Sequence, residues 1–570
     1  MPIPLRRDAT HLLVFCCVFL TGCTPKPPAN ATVADMPAWF ADVTDEVGLD
    51  FTHDPGPLDG TYFMPQSMGS GAALFDFDND GRLDIYLIQN GGPKSGSKNK
   101  LFQQQPDGRF KDVSAGSGLD VTGFGMGVAV ADVNNDGLPD AYVSEYAGGR
   151  LFLNQGGGKF TEVKQSGIDA QIWGTAVSFL DYDRDGWLDL VVVNYVALDP
   201  SRPCNNPGSG GRDYCHPVNF GSTATRLYRN RGCDSKGAWL GFEDRTQAAG
   251  LNRATGPGLG VLCADLNGDG WPDIFVANDS KANHLWINQK SGTFTEEAVQ
   301  RGLAYNTRGE AQANMGVAYG DIDGSGLPSL FVTHINFEYH GLWRQKPRGL
   351  FQDQAAAAGL TKTGWRGTGF GTVLADFDQD GALDLALVNG RVFRTGPPTK
   401  SHWDAYAERN QIFANDGTGK FRDISEGISA LCGKVNVGRG LAVGDLQGDG
   451  ALDLLVTTAG ARARLLRNVA PKRGHWLMVR AIQGAANPRD AVGAEVRIQA
   501  GERRWQGLVQ PSQSYLCSHD PRVHFGLGAV DRVDTLELLW PDGSEERFAC
   551  PSVDRVIEVQ RGKGQPVQGK

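Results

Sequence analysis

The 570-residue chain lacks most of the marks by which a sequence announces its chemistry. It has no basic excess. Its 55 Lys and Arg face 65 Asp and Glu, a net charge of −10, which argues against a general nucleic-acid binder, since such proteins neutralise phosphate with basic patches. It has no apolar run of bilayer length: Leu12–Leu20 spans nine residues where about 20 are needed. There is no C-x-x-C-H haem motif, no zinc-type C-x-x-C pair, no G-x-S-x-G and no H-E-x-x-H. No collagen-like triplet or low-complexity run accounts for the 76 glycines, which leaves many tight turns as the reading. The length exceeds one ordinary core, so at least two domains are expected.

What is present begins with an export signal. Arg6 and Arg7 precede the short apolar run, which ends in Leu20-Thr21-Gly22-Cys23. This resembles the lipobox of bacterial lipoproteins. The resemblance implies cleavage after residue 22, lipidation of Cys23 and a membrane anchor. Thr24 is not the Asp that retains such proteins at the inner membrane, so the outer membrane or cell surface is expected. Pro25, Pro27 and Pro28 make residues 23–38 an extended stalk.

Seven cysteines remain: Cys204, Cys215, Cys233, Cys263, Cys432, Cys517 and Cys550. An exported protein meets an oxidising compartment, and an odd count leaves at least one thiol unpaired. Cys204 and Cys215 bracket a Gly/Asn/Pro-rich loop and are the disulfide candidates. Cys263, within an apolar strand, is the candidate free thiol.

An internal repeat dominates the rest. The pattern D-x-[DNQ]-x-D-G-x-x-D occurs seven times, with ligand-type residues at positions one, three, five and nine. These are Asp76, Asp78, Asp80 and Asp84; Asp132, Asn134, Asp136 and Asp140; Asp181, Asp183, Asp185 and Asp189; and Asp265, Asn267, Asp269 and Asp273. The fifth copy is degenerate, with Asp321 and Asp323 followed by Ser325 and Ser329. The last two are Asp376, Asp378, Asp380 and Asp384, then Asp445, Gln447, Asp449 and Asp453. The copies start 49 to 84 residues apart, room for about four short strands each. A glycine-opened apolar strand precedes each loop and a β-rich run follows it. A second signature, an apolar pair and often Asn before a Gly turn and Phe, also recurs seven times, as in Leu151–Asn154 and Ile412–Asn415. The stretch Trp39–Thr44 matches its closing half with no loop before it, and the last unit ends at Asn468 without one. The chain therefore reads as all-β: a seven-bladed β-propeller over 39–470, completed by its own N-terminal strand.

Alternate oxygen-bearing side chains around a turn glycine converge on one point, as in the first nine positions of an EF-hand loop, and form the oxygen-rich environment Ca²⁺ favours. No position-twelve Glu and no flanking helices are present, so these are not EF-hands. Asp/Gly turns that merely cap strands would give the same residues once. Six well-formed copies point to about six structural Ca²⁺ sites. The ligand positions hold 23 Asp. Neighbouring carboxylates repel by about 1 kcal/mol per pair even in a watery dielectric. The fifth loop is expected to bind weakest or not at all.

From about Gly474 the repeat stops and short alternating strands suggest a small β-sandwich over 471–565. Gly493-Ala-Glu-Val496, Gln513-Ser-Tyr-Leu516, His524-Phe-Gly-Leu-Gly528 and Leu539-Trp-Pro-Asp-Gly543 look like the ASPIC/UnbV domain, and the upstream loops look like FG-GAP/VCBS repeats. The combination resembles the cartilage acidic protein family and its bacterial relatives, as does Arg212–Pro217 before Leu227. The resemblance implies a calcium-binding extracellular protein and supplies no activity.

Candidate catalytic groups are sparse. His53, His216, His334, His340 and His402-Trp403-Asp404 lie in connections, where function gathers, yet no spacing marks a triad. Trp365, Trp403 and Tyr406 are read as packing before a sugar- or peptide-binding face. The expected function is a binding or adhesion scaffold for a protein or glycan at the cell surface, favoured by insertions at 197–225 and 390–410. An enzyme with a channel site and an accessory factor for surface-protein assembly are the alternatives.

Overall fold

The computed structural model describes residues 36–567 apart from 170, 207–209, 397–400, 472–473 and 550–551; Cys23 and most of the stalk lie outside them, as does Cys550. Seven four-stranded antiparallel units carry the seven loops. Their innermost strands are Ala72–Phe75, Gly125–Ala131, Gly174–Leu180, Gly258–Ala264, Val317–Gly320, Gly369–Ala375 and Gly438–Gly444. Each lies against the next, and the last returns to the first, so the units close into a ring. These strands are buried along nearly their whole length, which suits their Gly, Ala and Val content. Crowding at the axis explains the glycines. A Cβ on Gly260 would stand 2.2 Å from the Met315 carbonyl oxygen, and one on Gly316 1.9 Å from that of Phe370.

The ring is closed by the N-terminal strand Phe40–Asp42, which pairs with Arg464–Asn468 in the seventh unit (Phe40 opposite Asn468). Blades are tied to one another through the second signature. The Asn154 side-chain NH₂ donates to the Phe77 carbonyl of the preceding blade at 2.8 Å. Asn230, Asn288, Asn415 and Asn468 repeat the bond onto Val133, Tyr182, Ile322 and Phe377. Gln104 does so onto Leu446 across the closure. In the fifth blade Gln345 turns to Pro328 of its own blade instead.

From His475 onward two sheets face each other over a shared apolar core that includes Leu477, Val496, Phe525, Leu538 and Trp540. One connection leaves this domain and enters the propeller axis. Its strands Ser512–Gln513 and Cys517–Ser518 add to the first blade, with Cys517 parallel to Ala72. Ser514 exchanges backbone bonds with Val317 at 2.7 and 2.9 Å. Its hydroxyl accepts the Thr372 N–H, and His519 Nδ1 accepts that of Val443. The Leu516 carbonyl takes the Val128 N–H, while the Gln510 amide donates to the Phe179 and Cys263 carbonyls. The segment thus bonds all seven inner strands. Ser514 and Leu516 are left-handed (φ 68° and 59°), a conformation held by these bonds. Tyr515 reaches furthest, packing on Phe370 and donating to the Met68 carbonyl at 3.0 Å.

The far mouth is closed by other elements. Met64 and Met68 pack with Tyr515, Leu516 and Met126. The two long insertions do not fan outward as a rim. They meet at Asp213, whose carboxylate accepts the Tyr406 hydroxyl (2.6 Å) and the Arg394 N–H (2.7 Å). Removing one blade staple should leave a buried and a half-buried carbonyl unsatisfied: Asn154→Ala, which frees those of Phe77 and Pro139, is expected to cost about 2 kcal/mol by denaturant unfolding. A change below about 0.5 kcal/mol would contradict this role.

Candidate metal centres in the blade loops

Each loop joins an inner strand to its neighbour, and its backbone is folded by its own carboxylates. The first Asp accepts the N–H of position six in every loop and, in all but the third, that of position five as well, as Asp76 does from Asp80 (2.9 Å) and Gly81 (2.8 Å). Position six is a left-handed glycine in all seven loops, and so is the backbone of position four: Asn79, Asn135, Arg184, Gly268, Gly324, Gln379 and Gly448 all have φ between 57° and 84°. Where position four has a side chain it donates to the turn glycine of the next loop: Asn79 to Gly137, Asn135 to Gly186, Arg184 to Gly270 and Gln379 to Gly450.

Position nine is a staple as well as a candidate ligand. Asp140 accepts the Val133 N–H at 2.9 Å and the Asn154 N–H at 2.8 Å. Asp84, Asp189, Asp273, Asp384 and Asp453 repeat both bonds. Burial, reinforced by neighbouring carboxylates, pushes Asp84 and Asp453 up to about 8. It raises Asp140, Asp189, Asp273 and Asp384 well above the usual carboxylate range. At position one, burial raises Asp132 to about 6 and Asp181 to about 7.

Among the described residues, three loops gather carboxylates from positions one, three and nine within 4.8 Å: Asp76, Asp78 and Asp84; Asp181, Asp183 and Asp189; and Asp376, Asp378 and Asp384. In loops two and four an amide takes position three, and Asn134 and Asn267 donate to Asp136 and Asp269. The donor set fits a hard divalent cation. Asp78 Oδ1, Asp181 Oδ1 and Asp183 Oδ1 are buried with no hydrogen-bond donor. Anionic oxygens that burial penalises, grouped and unsatisfied, need a positive partner. Protein cations supply part of it: Arg229 bonds Asp183 (2.6 Å) and Asp185 (2.8 Å). In the degenerate fifth loop Arg344 pairs with Asp323, so a guanidinium supplies counter-charge to a loop that keeps only two of its pattern carboxylates. Asp321 and Asp323 are the only carboxylates of that loop at the pattern positions. Acidic clusters able to hold metal are therefore present in several blades.

The remaining candidates are placed as follows. His53, His334 and His340 are buried; burial lowers His53 to about 3, His334 to about 4 and His340 to about 3, which keeps them neutral. His334 bonds Asn314 and Tyr339, and His340 accepts its N–H. His216 is exposed beside Ser280 Oγ (3.4 Å), and Ser280 also bonds Asp279. His216 Nδ1 also accepts the Val218 N–H at 3.3 Å. His402, Trp403 and Tyr406 form one aromatic group with Tyr62 and Tyr214. Trp365 lies under Arg409. Cys204 and Cys215 are joined by a disulfide, and Cys263 is buried and free, as are Cys432 and Cys517. Sequence reasoning missed position four and the blade-linking Asn. The signal for the second was printed in the repeat itself, in the near-constant Asn of the second signature.

Residues 76–143, 132–192 and 265–332 match the FG-GAP-like repeat, and residues 484–566 match the ASPIC and UnbV domain. The chain is 26% identical over 540 residues to cartilage acidic protein 1 of Xenopus tropicalis, covering 88% of this chain and 74% of that protein. It is 24% identical over 533 residues to the human protein, covering 87% and 72%. Among solved structures an Agrocybe aegerita lectin specific for non-reducing terminal N-acetylglucosamine aligns at a TM-score of 0.36 and 16% identity, over 63% of this chain and 80% of the lectin. The chain is an FG-GAP-repeat protein with a C-terminal ASPIC and UnbV domain, homologous to cartilage acidic protein 1 over most of its length.

Proposed function

We propose that this protein is a calcium-stabilised, exported binding scaffold, tethered through Cys23 and presenting the propeller to a protein or glycan at the cell surface. The observation that carries the reading is the set of buried, donor-free carboxylate oxygens at Asp78, Asp181 and Asp183 beside the other acidic ligands. Bound calcium would supply the counter-charge there, and the chain's own residues do the rest: they fold the loops, tie adjacent blades and hold the ligands in register. The alternative of a channel enzyme is disfavoured because residues 510–519 fill the axis and bond every inner strand. The face away from the calcium loops is the better recognition surface. Phe337 (65% exposed) and Tyr339 (47%) stand there, Phe337 against Phe393 of the sixth-blade insertion and Tyr339 under Arg366. Exposed aromatics of this kind anchor partners.

A site at one hundredfold its Kd contributes about 2.7 kcal/mol. Chelation with EGTA is therefore expected to lower Tm by several degrees, and an unchanged Tm would end the calcium reading. The metal-free protein should also show an inverted pH dependence. Carboxyls raised from about 4 in the unfolded chain to about 8 at Asp84 and Asp453 favour the folded state while protonated. That contribution is complete below pH 4 and is lost as pH rises to 8. Tm in chelator should fall over this window, and calcium should abolish the fall. A metal-free Tm that climbs from pH 5 to 8 would contradict it. For recognition, the double variant Phe337→Ser, Tyr339→Ser of the soluble form lacking residues 1–23 is expected to lose its signal on glycan arrays or in pull-downs, with Tm unchanged. Retained binding would place the partner elsewhere.

A further inference from the structure

The four motifs that set the C-terminal domain apart in sequence all sit where it meets the propeller. Gln513–Leu516 is the tip of the axial plug. Gly526 and Gly528 of His524–Gly528 lie on the sixth loop. A Cβ on Gly526 would stand 1.7 Å from Asp376 Oδ2, and one on Gly528 2.9 Å from the Asp380 carbonyl oxygen. Glu495 of Gly493–Val496 shares Arg348 with Asp265 of loop four, each at 3.6 Å. Gly543 of the fourth lies against Arg184 of loop three, with 2.7 Å between its would-be Cβ and Nη1.

Other bonds extend the contact around the ring. Asn487 donates to the Asn135 carbonyl at 3.0 Å, Arg489 to that of Gly186 at 2.8 Å and Arg522 to that of Asp445 at 2.8 Å. These donors address loop backbone. Arg522 pairs with Asp520 and Arg480 with Asp490, both carboxylates of its own domain. Docking therefore reads the shape of the loops without consuming the oxygens that would hold a cation. That shape is set by the same carboxylates. Asp376 sits directly under Gly526, where no displacement of its carboxylate toward the lid is accommodated, and a loop without its cation loses the common partner that holds these groups in one place.

We infer that the C-terminal domain is a lid whose docking, plug included, is coupled to cation occupancy of the loops beneath it. The inference rests on the calcium reading above. Loaded loops present the carbonyls and the Asp376 surface in the arrangement that accepts Asn487, Arg489, Arg522 and Gly526; emptied loops do not, and the plug leaves the axis more often. By linkage the effect is reciprocal, so a docked lid tightens ion binding by the same factor.

The test uses the full chain, with bound calcium counted by elemental analysis and amide exchange followed at 512–518. Chelation is expected to speed exchange in the plug at least tenfold while the third strand of blade two, Gly148–Asn154, keeps its protection. Tyr515→Ala is expected to weaken calcium binding several-fold. If it does not fold, Ser514→Ala, which removes only the hydroxyl that accepts the Thr372 N–H, is expected to do so to a smaller degree. Calcium bound in full with plug exchange indifferent to chelation would overturn the coupling and leave the calcium reading standing. Absence of bound calcium would overturn both.

Discussion

The structure hangs on one buried carboxylate in each of six blades. The position-nine aspartate accepts a backbone N–H from its own loop and another from the third strand, fixing the loop to the sheet beneath it. The residue whose N–H it takes is the same Asn or Gln whose side chain reaches the preceding blade. One aspartate thereby orders a loop, a sheet and a joint. The fifth blade shows the dependence by its failure: Ser329 replaces the aspartate, Gln345 replaces the asparagine, and the bond to the preceding blade is gone. An anion in such a place is costly, which is why the loops also gather the features of a cation site.

The fold was legible because these constraints admit few residue types. A left-handed turn demands glycine at position six, and paired N–H groups demand aspartate at one and nine. Position four was harder to read, since Arg184 and Gln379 take a backbone conformation that Asn and Gly usually mark. The plug left no trace in periodicity. Its bonds to the inner strands are shared between its backbone and the scattered side chains of Gln510, Ser514 and His519, and Gln513-Ser-Tyr-Leu516 alternates in no pattern that a channel would impose. The loop histidines misled for a related reason. His53, His334 and His340 are flanked by residues typical of surface connections, and only the packing of neighbouring blades buries them. Asp213 likewise reads as a surface charge and is instead the joint between two insertions.

These features shift attention from the channel to the two faces. One face is occupied by the C-terminal domain. The other is built from insertions locked together at Asp213 and offers exposed aromatics on a rigid support. Arg439, fully buried at this end of the axis, donates to four carbonyls and lies 3.9 Å over Phe370. Burial lowers it to about 10, still far above neutral pH, so it remains a fixed cation at the closed mouth. On the scaffold reading proposed above, a recognition surface must not yield when a partner lands, and this end is rigid enough to meet that need.

The seam in the seventh blade also has a consequence in time. Phe40–Asp42 is made before the other strands, yet its partner Arg464–Asn468 follows more than 400 residues later, and the segment that fills the axis comes later still. Six blades can gather sequentially, but neither the ring nor its axis is complete until almost the whole chain has appeared. Contacts of such long reach are slow to form. The first strand cannot find its partner until nearly the entire chain has been made.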